Sequence, residues 1–286
     1  MHSLCPPVVD ASFLAEHPHA VVTDVRWYLD GRDGHAAFEE GHLPGAIWID
    51  LEHDLAAVDL PATAGRHPFP SATAFAHAMA AHGIGDDSIV VAYDDTSGLT
   101  AGRLVVMLRM LGRNAAVLDG GLAAWSGPLQ TGPGATPQPA AFTPMEWPAE
   151  LLASADDAAQ QAAAGHPVLD ARAADRFTGE QALIDPRPGH IPGARNAPWS
   201  AVLGSDRKLR SIPELTAHFA SLGINADTPE RSAVTYCGSG VSACMNLLAL
   251  EHAGLPAARL YVASWSGWSA DPQRRAETGQ GHAAHG

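Results

Sequence analysis

Ala233-Val234-Thr235-Tyr236-Cys237-Gly238-Ser239-Gly240-Val241-Ser242-Ala243-Cys244 reads as strand, loop and the start of a helix. Val234, Thr235 and Tyr236 are β-branched or aromatic and predict a buried strand. A Gly-rich loop follows with a cysteine at its first position, and Met245, Leu247, Leu248 and Leu250 then continue in a helical pattern. A thiol between a strand end and a helix N-terminus faces unpaired N–H groups and a positive dipole end, both of which favour the thiolate. Such a setting lowers a cysteine pKa from its usual value of about 8.5 by one or more units. Gly238 and Gly240 allow the loop N–H groups to turn inward into a nest for an anion or a second sulfur. The competing reading is that Cys237 is a small buried hydrophobe, a common fate of free cysteines.

The chain has 286 residues, which suits two domains of roughly 130 residues each. An apolar fraction of 46% is that of a globular protein, and a net charge of −14 argues against nucleic-acid and anionic-membrane partners. The opening Met1-His2-Ser3-Leu4-Cys5-Pro6-Pro7 lacks the basic and apolar regions of a signal peptide, and no apolar run is long enough to span a membrane. Three cysteines, Cys5, Cys237 and Cys244, fit a reducing cytoplasm better than a disulfide scaffold. Cys244, counted about two turns into the following helix, is expected to pack. No metal site is expected: the cysteines are too scattered for zinc and the histidines are dispersed, with His282 and His285 in a Gly/Ala tail.

In chain order, 20–26 predicts a strand, 36–40 a short helix, 71–82 a helix capped by Ser71, 88–93 a buried strand, 100–112 a helix and 115–118 a strand. The second half repeats the first. Asp170-Ala171-Arg172 matches Asp24-Val25-Arg26 at an offset of 146, and Gly189-His190-Ile191-Pro192-Gly193-Ala194 matches Gly41-His42-Leu43-Pro44-Gly45-Ala46 at 148. Tyr236-Cys237 matches Tyr93-Asp94, and Trp268 matches Trp125, both at 143. Four ordered matches indicate a tandem duplication of one α/β domain. The expected organisation is a domain over 1–126, a Pro- and Gly-rich linker over 127–149, and a second domain over 150–286. Alternating strands and helices imply parallel sheets flanked by helices, with sites at the carboxyl ends of strands. Asp94 stands where the second half has Cys237, so the first half is expected to be non-catalytic. His42, His190, Asp24 and Asp170 recur in both halves and read as structural; Trp265 and Trp268 read as packing, with Trp265 also able to wall a pocket.

These residues together resemble the tandem-domain rhodanese sulfurtransferases over about residues 5–275: Asp-x-Arg twice, Gly-His-Leu/Ile-Pro-Gly-Ala twice, and Cys-Gly-Ser-Gly-Val-Ser in the second half alone. The loop Gly238, Ser239, Gly240, Val241, Ser242 looks like the 3-mercaptopyruvate sulfurtransferase type, with Ser242 in place of a threonine. Members that prefer thiosulfate carry basic residues after the cysteine, where Gly238 and Ser239 are neutral. The resemblance implies a persulfide on Cys237, a small-molecule sulfur donor, and a thiol or cyanide acceptor such as thioredoxin or glutathione, with no cofactor. It implies donor binding by Arg176 and Arg187, since a guanidinium fork suits a keto-acid carboxylate. It also implies cleft contributions from His67 and from Glu52, which replaces an expected aspartate. The main alternative is a thiosulfate sulfurtransferase on the same fold, and a more remote one is a non-catalytic binding module. A Cys-x5-Arg phosphatase is excluded because Ala243 stands at the arginine position.

Overall fold

The computed structural model describes residues 4–181 and 184–280; His282 and His285 lie outside them. The chain forms two compact units whose boundaries are not a single cut. Unit 1 comprises residues 1–57, 69–147 and 206–208, and unit 2 comprises 58–68, 148–205 and 209–286. Each unit therefore contains a short segment from the other half of the sequence.

Unit 1 runs β1 (Val8–Val9), α1 (Ala11–Glu16), β2 (Val21–Asp24), α2 (Gly34–Glu40), β3 (Ile47–Trp48), α3 (Ala72–Ala81), β4 (Ile89–Tyr93), α4 (Ala101–Met110) and β5 (Asn114–Leu118). The helices begin where short polar side chains take up free N–H groups: Asp10, Asp33 and Ser71 cap α1, α2 and α3. The sheet is parallel in the order β1-β5-β4-β2-β3. The stretch expected to be a linker packs on this unit. Ala140 N–H donates to the Ala80 carbonyl at 2.9 Å, the Thr143 hydroxyl donates to Asp86 at 2.6 Å, and Trp147 Nε1 donates to the Pro70 carbonyl at 2.7 Å. Phe142 is buried edge-on against Phe75, so this segment contributes to the core.

Unit 2 runs α5 (Ala155–Ala163), β6 (Val168–Asp170), α6 (Ala174–Thr178), β7 (Arg195–Asn196), α7 (Ile212–Ser221), β8 (Val234–Tyr236), α8 (Ala243–His252), β9 (Arg259–Leu260) and α9 (Ser264–Ala270). Its sheet is parallel in the order β7-β6-β8-β9. That is the order β3-β2-β4-β5 of unit 1. The register repeats as well: Asp24 lies beside Tyr93, and Asp170 beside Tyr236. Apolar side chains close the sheet on both faces, with Phe177, Tyr236 and Trp265 in one cluster and Leu169, Phe219 and Leu250 in the other.

The repeated motifs make the same bonds in each unit. Arg26 pairs with Asp24 at 2.7 Å and donates to the Gly41 carbonyl at 2.8 Å. Arg172 pairs with Asp170 at 2.6 Å and donates to the Gly189 carbonyl at 2.7 Å. The Tyr93 and Tyr236 hydroxyls accept from Leu43 and Ile191 N–H. His42 and His190 donate from Nδ1 to the carbonyls of Phe38 and Phe177 and stack on those rings, 4.0 and 3.6 Å between centroids. These histidines pin the turn that leads into the next strand.

Asp94 follows β4 and is fully buried. One oxygen accepts from Thr96 and Gly98 N–H, each at 2.8 Å. The other accepts from Thr100 N–H, the Thr100 hydroxyl and Ala101 N–H at 2.8, 3.0 and 2.9 Å. The carboxylate fills the nest formed by its own loop and the start of α4. Arg207, from the 206–208 segment of the same unit, donates to Ser97 Oγ and the Asp95 carbonyl, both at 3.2 Å. Asp94→Ala strands four buried N–H donors and should lower unfolding stability by about 3 kcal/mol in urea titration. Asp94→Asn keeps an acceptor and should recover part of that loss; equal stability of all three proteins would show that the nest needs no anion.

Candidate active site

Along the second sheet the chain moves from β6 outward to β7, then returns to place β8 on the other side of β6. Such a switch point opens a crevice at the carboxyl ends of the strands, and Cys237 is the residue that follows β8. Its backbone is held on both sides. Cys237 N–H donates to Ser264 Oγ at 3.1 Å, and the carbonyls of Cys237 and Gly238 accept from Trp265 and Ser266 N–H, each at 2.9 Å. Ser264 has φ of 54°, a strained value for a residue with a side chain. Its hydroxyl also donates to the Tyr261 carbonyl at 2.9 Å, so the strained residue ties loop and strand end together. The helix α8 starts at Ala243, so Cys244 lies in its first turn, not two turns in; its thiol donates to the Gly240 carbonyl at 3.4 Å.

Cys237 is 2% exposed. Burial alone pushes a thiol pKa up, because the thiolate loses water. Here the Ser242 hydroxyl and the N–H groups of Ala243 and Ser239 point at the sulfur and outweigh burial, so the pKa lies below its ordinary value. These donors correspond to those around Asp94: a hydroxyl at the helix start, the first helical N–H, and the N–H two residues after the strand-end side chain.

Two guanidiniums converge on the next residue. A Cβ placed on Gly238 would lie 2.9 Å from Arg176 Nη2 and 3.1 Å from Arg66 Nη2. A side chain at this position would have to push these guanidiniums aside. Behind them sits Asp185, whose side chain is 1% exposed. It accepts from Arg176 Nε at 3.0 Å and Nη2 at 2.7 Å, accepts from Arg172 Nη1 at 3.2 Å, and lies 3.8 Å from Arg66 Nη1. Arg66 Nη1 also donates to the Ile184 carbonyl at 2.8 Å. Burial lowers the Arg66 pKa and Asp185 pulls it back up, while Arg176 adds to the lowering.

Of the residues expected from sequence, Arg176 and His67 stand beside the loop and Arg187 does not. His67 is buried, with Nδ1 2.9 Å from Ser239 Oγ. Arg187 donates to the carbonyls of Trp268, Ser269, Asp271 and Arg274 and so closes the C-terminal end of α9. Its own carbonyl accepts from Trp265 Nε1 at 2.9 Å, and Arg172 lies over the Trp265 ring at 4.9 Å, which makes Trp265 a core residue. Glu52 is exposed in unit 1, where its N–H donates to Asp50.

Arg66 and Asp185 were not singled out from sequence. The cue for Arg66 was its position between Gly65 and His67. The segment 62–65 lies against α9 so closely that a Cβ on Gly65 would meet the Ala263 carbonyl oxygen at 2.5 Å, and one on Gly267 would meet the Thr63 carbonyl oxygen at 2.6 Å. Arg66 N–H then donates to Ser266 Oγ at 3.1 Å. Two small residues thus set where Arg66 and His67 enter.

The sequence profile of the rhodanese-like domain matches residues 11–128 and again 149–271. The chain belongs to the rhodanese-like domain family. A Pseudomonas aeruginosa relative named "Probable 3-mercaptopyruvate sulfurtransferase" is 42% identical over 267 residues, covering 92% of this chain and 93% of the relative. A Mycobacterium tuberculosis relative, provisionally named a thiosulfate sulfurtransferase, is 41% identical over 258 residues, covering 88% and 89%. The solved structure of SseA from Escherichia coli, described as a 3-mercaptopyruvate sulfotransferase of the rhodanese fold, matches with a TM-score of 0.79 at 32% identity, covering 91% of this chain and 99% of that one. Among the described residues no helix is long and apolar enough to cross a membrane.

The thiolate cradle predicts a pH profile. The rate of Cys237 alkylation by iodoacetamide should rise with a midpoint below that of a free thiol. Ser242→Ala removes a donor to the sulfur and should move that midpoint up; an unmoved midpoint would take the hydroxyl out of the cradle.

Proposed function

We propose that the protein is a sulfurtransferase that takes sulfur from 3-mercaptopyruvate onto Cys237 and passes it to a thiol or cyanide. The observation that carries this reading is a cradled, low-pKa thiol with two guanidiniums across the adjacent glycine. The Cys237 thiolate attacks the donor sulfur, an S–S bond forms, and the donor's C–S bond breaks. The electron pair leaves as the pyruvate enolate, which takes the proton of the donor thiol. In this reading His67 moves that proton, supported by its contact with Ser239 beside the loop. The loop N–H groups then hold the persulfide anion as they hold the thiolate. Arg176, with Arg66 beside it, grips the donor carboxylate. An acceptor thiolate attacks the outer sulfur and releases Cys237.

In this reading residues 150–286 carry the nucleophile and its loop; residues 1–126 have no nucleophile of their own, because the carboxylate of Asp94 occupies the equivalent nest, and contribute to the chemistry only through Arg66 and His67 of the 58–68 segment. Thioredoxin and glutathione are the thiol acceptors in view, and three cysteines outside any disulfide suit the reducing cytoplasm in which such thiols act. Thiosulfate as donor is the second reading. It is favoured by the pair of cations at Gly238, which supply from outside the loop the charge that Gly238 and Ser239 lack.

Cys237→Ser should abolish transfer while the protein remains folded, and donor-treated wild type should gain the mass of one sulfur atom. Steady-state assays on both donors should give the higher kcat/KM for mercaptopyruvate, and the reverse order would install the second reading. Arg176→Ala should raise KM for mercaptopyruvate by roughly tenfold or more; an unchanged KM would reduce Arg176 to a structural ion pair.

A further inference from the structure

Three guanidiniums gather at one end of the second sheet, and a single buried carboxylate joins them. Arg172 is paired with Asp170 at 2.6 Å and reaches Asp185 at 3.2 Å. Arg176 clasps Asp185 at 2.7 Å, and Arg66 stands 3.8 Å from it. Arg172 and Asp185 are each 1% exposed at the side chain, whereas Arg176 and Arg66 are 21% and 32% exposed. Asp185 is therefore screened from solvent by the cations it holds, and the cations present their outer edges beside Gly238. Asp175 is the other nearby carboxylate; it is exposed and takes the Arg176 backbone N–H. Three positive charges against the carboxylates of Asp170 and Asp185 leave an excess of one, before the thiolate is counted.

We propose that Asp185 sets the donor charge this site accepts: by neutralising one guanidinium it leaves a subsite matched to a single negative charge, with Arg66 as the cation that completes it. This deepens the sulfur-transfer reading and rests on it for the identity of the donors. The physics is simple. Like charges as close as Arg66 and Arg176 repel, and a buried carboxylate between them both holds them together and subtracts from the field they project. Without Asp185 the same pair would favour a dianion. Without Arg66 the subsite would lose its excess charge. Asp185 acts through the arginines and is a positioning residue. Arg66 is the contact residue supplied by the 58–68 segment.

The test uses the full chain and needs no natural donor. Cys237 is alkylated with iodoacetate, an anion, and with iodoacetamide, its neutral counterpart, and the modified site is identified by peptide mass because Cys5 and Cys244 are also thiols outside any disulfide. The ratio of the two rates reports the local field and cancels the thiolate fraction. Asp185→Asn should raise the iodoacetate-to-iodoacetamide ratio about fivefold, Asp185→Glu should leave it near wild type, and Arg66→Gln should lower it about fivefold. A purely structural role for Asp185 would let the arginines splay apart and would lower the ratio in Asp185→Asn, which would overturn the proposal. An unchanged ratio in Asp185→Asn would overturn it too. If Asp185→Asn does not fold, Arg66→Gln decides: a lowered ratio supports the proposal and an unchanged one ends it. In the donor assay, Asp185→Asn should raise kcat/KM for thiosulfate relative to mercaptopyruvate, and a ratio that stays put or falls counts against it. Failure of the wild type to use either donor would sink the proposed function while leaving the alkylation result to judge Asp185.

Discussion

A negative charge held at the end of a parallel strand by backbone N–H groups and one hydroxyl organises both halves of this protein. In unit 1 a carboxylate fills the position: Asp94 supplies it and five donors engage it. In unit 2 the same position carries a thiol, which can gain and lose its charge and, on the proposed function, is extended by one sulfur. A carboxylate in such a nest is a structural element, because all its lone pairs are engaged and it has no reaction to perform. A thiolate in the same nest is held less completely and remains a nucleophile. On the proposed function, one substitution at the strand end separates a supporting half from a working half.

The nest is only as good as the strand end that presents it. That end is fixed by a buried lattice that recurs in both units: Asp-x-Arg paired with itself, the arginine on the carbonyl of the Gly-His turn, and the tyrosine before the loop accepting from the turn. Buried ion pairs of this kind add little net stability relative to apolar packing, but losing one partner costs about 3–5 kcal/mol. Their use here is geometric. In unit 2 the lattice also connects to the site, because Arg172 reaches past Asp170 to Asp185, which holds Arg176.

Most of this was legible in the sequence because it is repeated. The doubled Asp-x-Arg and Gly-His motifs give two parallel sheets, and Tyr93-Asp94 set against Tyr236-Cys237 distinguishes the halves. Element ends shift by one or two residues, as with 20–26, which forms a strand only over Val21–Asp24. The remainder was hidden by distance. Arg66 meets Ser266 across 200 residues, a pairing no local pattern encodes. Arg176 and Arg187 are both candidate forks in sequence, Arg176 the better matched, and the packing of α9 shows that Arg187 is consumed by carbonyls at its end. Asp185 is two residues before Arg187, and the three arginines it joins come from two stretches of chain, Arg66 from one and Arg172 and Arg176 from the other.

The lent segment 58–68 also sets a timetable. Synthesised from the N-terminus, the chain makes Arg66 and His67 long before Cys237, and Ser266 and Gly267, which seat that segment, come later still. Unit 1 must also wait for Arg207 to cover the Asp94 loop. Neither half can finish alone as it leaves the ribosome. The loop around Cys237 would then lack Arg66 and His67 until α9 is present, which makes assembly of the site one of the last events in the making of the molecule.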